Sequence, residues 1–291
     1  MLAYAVLAGL IFGLYFSLVG LGLNLIFGVM RIVNLAHGDF LMLGALAAIS
    51  LFALIGLNPI GTAFVVLAAF ALVGFPLYYL LVPRLLRAKD PEMLSIMLFF
   101  GLSQVIEALA TMAFGPSERS IPGRVLGTGP VQFLGQRFPI AWVITAAASA
   151  VAVSAIYFYL YRTRLGYLTR AVMVDRDEAL ATGIDVHRVS AIAFGLGLGL
   201  AAIAGVFAPF MLGSATPAMG VELNIQSFAV IVIGSLGNPL GTVLGGAVYG
   251  VSLMFMQTYF STWANLLPYV LLILILLVRP SGLLGRQVRR A

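Results

Sequence analysis

From Leu2 to Met30 the chain is apolar apart from Ser17 and Asn24, a run longer than the roughly 20 residues an α-helix needs to cross about 30 Å of hydrocarbon. Comparable runs recur at 41–57, 60–82, 93–114, 140–161, 191–212, 242–256 and 266–278. Over the whole sequence 62% of residues are hydrophobic and 9% charged, more apolar surface than a soluble domain of 291 residues can hide. The reading is an all-α polytopic membrane protein of about eight transmembrane helices, with broken or re-entrant segments, forming one transmembrane domain over 1–291. Gly9, Gly13, Gly20, Gly22 and Gly28 stripe the first run. Small residues let another helix approach closely, so this span is expected to be buried among helices.

The charges follow the same plan. Lys plus Arg outnumber Asp plus Glu by 16 to 10, a bias that would suggest nucleic acid in a soluble chain. Here twelve of the sixteen cations fall in 84–89, 162–188 and 279–290, loops that positive-inside topology places in the cytoplasm. Nucleic acid is therefore excluded as a partner, and lipid surrounds the chain. The spans then alternate correctly with the N-terminus outside and the C-terminus inside. The sequence opens directly into apolar residues, so no cleaved signal peptide is expected. There is no cysteine, and the two histidines, His37 and His187, lie far apart; disulfides and thiol chemistry are excluded, and a dedicated metal centre is not expected. No Gly-x-x-x-x-Gly-Lys-Ser/Thr loop is present, and the single lysine, Lys89, has no glycine-rich setting. Any ATP consumed in transport would be hydrolysed by another subunit.

Against this background the polar segments stand out. Residues 31–40 pack Arg31, Asn34, His37, Gly38 and Asp39 between two apolar runs. Hydrocarbon cannot solvate such groups, so they face protein, water or a cavity. A second break falls at 234–241, where a short apolar run stops at Gly-Ser-Leu-Gly-Asn-Pro. A short helix, a Gly/Asn/Pro break and a second helix describe a discontinuous membrane helix. The two breaks read as halves of an internal repeat meeting near a central pathway, lined by Asn34, His37, Gly38, Asp39, Gly237 and Asn238 together with Glu107. Glu107, three residues after Gln104 on one helical face, is the remaining intramembrane carboxylate. The plainer alternatives are that His37 and Asp39 cap helices and pair with Arg31, and that Glu107 is bonded to Gln104 or a neighbour. A proton relay through His37, Asp39 and Glu107 is a third.

Two loops carry structure of their own. Residues 115–139, rich in Gly and Pro, read as an external loop with turns or a short hairpin. In the basic segment 162–190, Asp175 is a helix N-cap, Glu178 follows three residues later, and Gly183 is a helix stop, the pattern of a capping box ahead of a helix of about two turns, roughly 10 Å long. Such a helix is either an ordinary amphipathic connection or a rigid peg that docks into a partner.

Residues 20–45, with Asn-Leu-Ala-His-Gly-Asp at 34–39, resemble the signature of the Liv-H-type permease subunit of branched-chain amino acid ABC importers. The likeness continues through Arg170-Ala171, 175–185, 201–205 and 279–286. One departure is Ser235 and Asn238, where the family more often shows an extra Gly and a Ser. The resemblance implies a type II-like ABC importer permease, not itself an enzyme, in the bacterial cytoplasmic (inner) membrane. It implies as partners a Liv-M-type permease, two ATPase subunits and a periplasmic or extracellular solute-binding protein. No cofactor is expected in this chain; ATP and Mg would bind the ATPases. Asp175, Arg176, Glu178, Ala179, Gly183 and Asp185 would form the coupling segment. Branched-chain amino acids are the expected solutes, with urea, amides or aromatic and other carboxylic acids as family alternatives and a gradient-driven secondary carrier as the other class.

Overall fold

The computed structural model describes residues 1–285; Arg286, Arg289 and Arg290 of the basic tail lie outside them. The chain runs through α1 (Leu2–Met30), α2 (His37–Ile55), α3 (Pro59–Leu86) and α4 (Pro91–Phe114). A hairpin of β1 (Pro130–Phe133) and β2 (Gln136–Pro139) leads into α5 (Ile140–Arg162). The short helices α6 (Arg164–Val174) and α7 (Arg176–Ala181) precede α8 (Val186–Leu212), α9 (Met219–Gly234), α10 (Pro239–Tyr259) and α11 (Leu267–Val278). Among the described residues, eight helical stretches are long and apolar enough to cross a membrane, the last running from a 3-10 turn at Ser261–Leu266 through α11 to Val278, and α9, at 16 residues, is too short. The chain is a multi-pass helical membrane protein.

The helices start where local chemistry tells them to. Asn58, Asp90 and Asn238 each precede a proline, and each side chain accepts a backbone N–H of the first turn: from Ile60 (2.9 Å), Met93 (3.2 Å) and Leu240 (3.1 Å). The proline that follows has no N–H to orphan and a φ already suited to the helix. The second span begins at His37, four residues before the apolar run at 41, because the polar residues His37 to Phe40 are themselves helical. Between β1 and β2, Leu134 and Gly135 both have positive φ (47° and 75°), as a two-residue hairpin turn requires. An antiparallel bridge between Arg119 and Ala215 ties the α4–α5 loop to the α8–α9 connection.

Helices α1 and α8 form the centre of the bundle; 72% and 89% of their most apolar windows are buried, against 22% in α3 and in α4. In hydrocarbon, helices gain little by hiding apolar side chains from lipid, so close packing and hydrogen bonds must hold them. Both central helices are accordingly built for backbone approach. A Cβ on Gly250 of α10 would land on the backbone of Gly9 and Gly13 in α1, and one on Gly13 would land on Gly246 and Ala247. On α8, Gly195 and Gly199 face Ala71 and Leu67 of α3, Gly197 faces Gly22 and Ile26 of α1, and Gly205 faces Leu41 of α2. Alternate glycines of one run thus admit two different neighbours.

The bundle has two distinguishable ends. Met173 of α6 packs on Gly28 near the end of α1, so Arg31, α6 and α7 share one end. The hairpin, the α8–α9 loop and the start of α11 occupy the other.

Replacing Gly250 with Leu should cost about 3 kcal/mol through overpacking against α1. Leu at Gly101, which has open space around it on α4, should change stability by less than about 0.5 kcal/mol. Melting temperatures of the two variants in detergent check this contrast.

Candidate functional site

The first polar break leaves the helix at Arg31, whose backbone is left-handed (φ 52°) and whose N–H still closes on Phe27 (2.7 Å). The Arg31 side chain is exposed. From there the chain is non-helical through Ala36 and dives into protein: Ile32, Asn34 and Ala36 are fully buried. Its polar backbone is met locally. The Val33 N–H donates to Ser95 Oγ of α4 (3.3 Å), and the Ala36 N–H donates to Asn34 Oδ1 (3.0 Å). His37 is buried, and its Nε2–H donates to the Val19 carbonyl of α1 (3.2 Å), which leaves Nδ1 a bare acceptor with no partner.

Asp39 is 1% exposed, and neither carboxylate oxygen has a hydrogen-bond partner. Ser103 and Glu107 of α4 face it, and Gly220 at the start of α9 lies against it. The expected pairing with Arg31 is therefore not made: Arg31 turns out to solvent while Asp39 continues inward on α2. Nor do His37 and Asp39 cap α2, since its cap residue is Ala36 and Asn34 supplies the turn. Glu107 is half-buried and Gln104 exposed.

The second break, residues 235–238, joins α9 to α10. Its central anchor is Asn24, an amide in the last two turns of α1. Asn24 Nδ2 donates to the carbonyls of Ser235 (3.3 Å) and Asn238 (2.9 Å) and to Thr242 Oγ1, while its Oδ1 accepts the Gly237 N–H. Beyond α11 the chain returns to the same place. The N–H groups of Leu283 and Leu284 donate to the carbonyls of Ile233 (2.8 Å) and Gly234 (3.1 Å), the last turn of α9. The end of α9 and the start of α10 are thus both held by hydrogen bonds from elsewhere in the protein.

The two breaks do not meet in one cluster. Gly38 and Asp39 pack on the first turn of α9, against Gly220 and Asn224, whereas Gly237 and Asn238 close its other end. The intervening helix is roughly 20 Å long at 1.5 Å per residue. What links them is α1: Val19 and Gly22 touch His37, Asn24 holds the second break, and Gly28 touches Gly237.

At the shared end of the bundle, Asp175 is the C-cap of α6 and the N-cap of α7. Its Oδ1 accepts the N–H groups of Asp177 and Glu178 (2.9 Å each), starting α7. Its own N–H is taken by the Ala171 carbonyl of α6 (3.1 Å), so the reciprocal half of a capping box has no donor left. Gly183 (φ 84°) ends α7, with the Ile184 N–H reaching back to Ala179 (3.1 Å), and Asp185 Oδ1 accepts the Arg188 N–H (2.9 Å) to start α8. Ala179 is buried; Asp175, Glu178, Gly183 and Asp185 are exposed. Arg176 is half-buried beside Tyr78 of α3, and the Tyr78 hydroxyl is 3.2 Å from His187 Nδ1 on α8.

Asn24, Met173 and Tyr78 thus carry connections that the sequence reading did not assign. Only Asn24 left a trace in the sequence, as one of two polar residues in the first span.

This arrangement, interrupted helices inside a multi-span bundle and a capped helix pair at one end, is that of a membrane permease. Residues 5–276 match the family model described as branched-chain amino acid transport system/permease component, and the chain belongs to that family. Among curated relatives it is 26% identical over 293 residues to LivH of Escherichia coli K12, a high-affinity branched-chain amino acid transport system permease protein; 96% of this chain and 94% of the relative are covered. It is 28% identical over 291 residues to BraD of Pseudomonas aeruginosa, with the same description and coverage.

Leu at Asn24 would keep the branched shape but leave the Gly237 N–H without its acceptor, while the Ser235 and Asn238 carbonyls keep their backbone donors, a cost of about 1–3 kcal/mol. The expected readout is a lower melting temperature, with amide hydrogen exchange at 235–238 accelerated more than elsewhere. Uniform exchange across the chain would count against the anchor.

Proposed function

We propose that this chain is a type II-like permease subunit of an ABC importer for branched-chain or similar aliphatic amino acids, sited in the cytoplasmic membrane of a bacterium. It works with a Liv-M-type permease, two ATPase subunits that hold ATP and Mg, and an external solute-binding protein. The chain itself supplies no catalysis. Family membership and near full-length relatives named for this transport support the solute class.

The observation that carries the coupling is Met173. It projects from α6 onto Gly28 of α1, and Gly28 is also in contact with Gly237 in the second break. A push on α6 and α7 at the end of the bundle is therefore delivered directly to an interrupted helix. Asp175, Arg176, Glu178, Ala179, Gly183 and Asp185 shape the part that receives the push. Asn34, His37, Gly38, Asp39, Glu107, Gly237 and Asn238 mark where the bundle yields. An ATPase moves the permease only through different affinities for its two states, so the contact with α7 must change between them. Alternating access follows as the helices rock around the breaks.

Substituting Met173 with Ala should lower solute uptake per ATP hydrolysed by about fivefold, within the range by which single contacts tune coupling. Glu178→Lys and Gly183→Leu should act in the same direction while leaving expression unchanged. Reconstituted importer, assayed for uptake and hydrolysis together, checks this; an unchanged ratio in all three variants removes the coupling role. Uptake that survives ATP depletion and collapses with an ion gradient would instead establish a secondary carrier.

A further inference from the structure

A cleft of about 950 Å³ opens at the end of the bundle opposite α6 and α7. Its apolar wall includes Phe12, Trp142 and Leu253, with the Phe12 and Trp142 rings edge to face at 4.9 Å. Its polar wall is one-sided. Glu118 and Glu222 line it, and no Lys, Arg or His does so among the described residues.

Two buried groups aim into this space unsatisfied. Gln226, 6% exposed, donates its Nε2 to Glu222 Oε1 one turn earlier on α9 (3.0 Å), which fixes the amide and leaves Oε1 with no donor. Tyr249 of α10 is fully buried, faces Glu222, and its hydroxyl has no partner. A buried acceptor without a donor costs free energy, and neither group is needed to close a helix end. Glu222 thus keeps acceptor valences beyond the one the Gln226 amide fills, the Gln226 carbonyl has no donor, and the Tyr249 hydroxyl, able to donate or accept, has no partner. An ammonium group carries three N–H donors and the charge that a carboxylate favours.

We propose that Glu222, Gln226 and Tyr249 form a recognition point for the ammonium group of an incoming amino acid, whose aliphatic side chain lies on the Phe12, Trp142 and Leu253 wall. This deepens the importer reading and rests on it for the class of solute. The site separates amino acids from carboxylic acids of the same shape, which would meet two like charges and no cation.

The chain has no cysteine, so Val221→Cys, 48% exposed beside Glu222, gives it a single thiol at the cleft. Right-side-out vesicles carrying the assembled importer are labelled with a charged maleimide, and this chain is then resolved by electrophoresis. L-leucine and 3-methylbutylamine should slow labelling, and 4-methylpentanoate at the same concentration should not. Adding Glu222→Gln should raise the leucine concentration for half-protection by about tenfold, and Glu222→Asp by no more than about threefold. Equal protection by 4-methylpentanoate, no protection by either amine, or an unchanged leucine response in Glu222→Gln would each overturn the site. Protection by the amines in vesicles that show no ATP-driven amino-acid uptake would sustain the ammonium site and refute the importer reading alone.

Discussion

An amide nitrogen has two hydrogens, and Asn24 places its own among three acceptors on the far side of a broken helix: the carbonyls of Ser235 and Asn238 and the hydroxyl of Thr242. Hydrocarbon offers an interrupted helix no hydrogen-bond partners, so a break can exist at membrane depth only where protein supplies them. Asn24 does so from α1, and Leu283 and Leu284 do so from the chain beyond α11. The first break is met by Ser95 and Asn34. The remaining helices can be ordinary because these few side chains deal with the exceptional backbone.

Much of this was legible in the sequence, and what was legible is local. The first span was read to its last residue because nothing but Ser17 and Asn24 interrupts it. The break read at 234–241 is shorter in the structure, where Asn238 caps α10 and the helix starts at Pro239, three residues before the apolar run at 242. The small helix after Asp175 was legible because its cap and its glycine stop lie within nine residues of each other. Half of the expected capping box fails for a reason the sequence pattern does not display: α6 ends on the same residue and takes its N–H. The pairing of Arg31 with Asp39 fails in the same way. Eight residues apart in sequence, they are separated by a non-helical stretch that enters the protein, so one faces solvent and the other Gly220.

The relation between the two breaks was beyond any local reading. Their compositions are alike, and likeness suggested that they meet. The structure instead sets them at opposite ends of α9, with α1 running alongside. Contacts between elements more than two hundred residues apart, such as Asn24 with Gly237, are encoded only in the complementarity of distant surfaces. Glycine was the partial clue: Gly28, Gly38, Gly220 and Gly237 stand at these junctions, but glycine is so common in this chain that composition did not single them out.

The position of α9 bears on how such a bundle moves. Packed cores tend to switch between discrete arrangements rather than deform continuously. At both ends of α9 the contacts are of backbone on backbone: Gly38 against Gly220, and Gly234 against Gly241. Such contacts slide without repacking large side chains, so their resistance to movement comes mainly from hydrogen bonds. At the inner end those bonds are oversubscribed, with three acceptors sharing the two hydrogens of Asn24. The amide therefore has one more acceptor within reach than it has hydrogens. Met173 packs on Gly28, one turn of α1 from that amide, so α6 is in contact with the stretch of α1 that holds the second break.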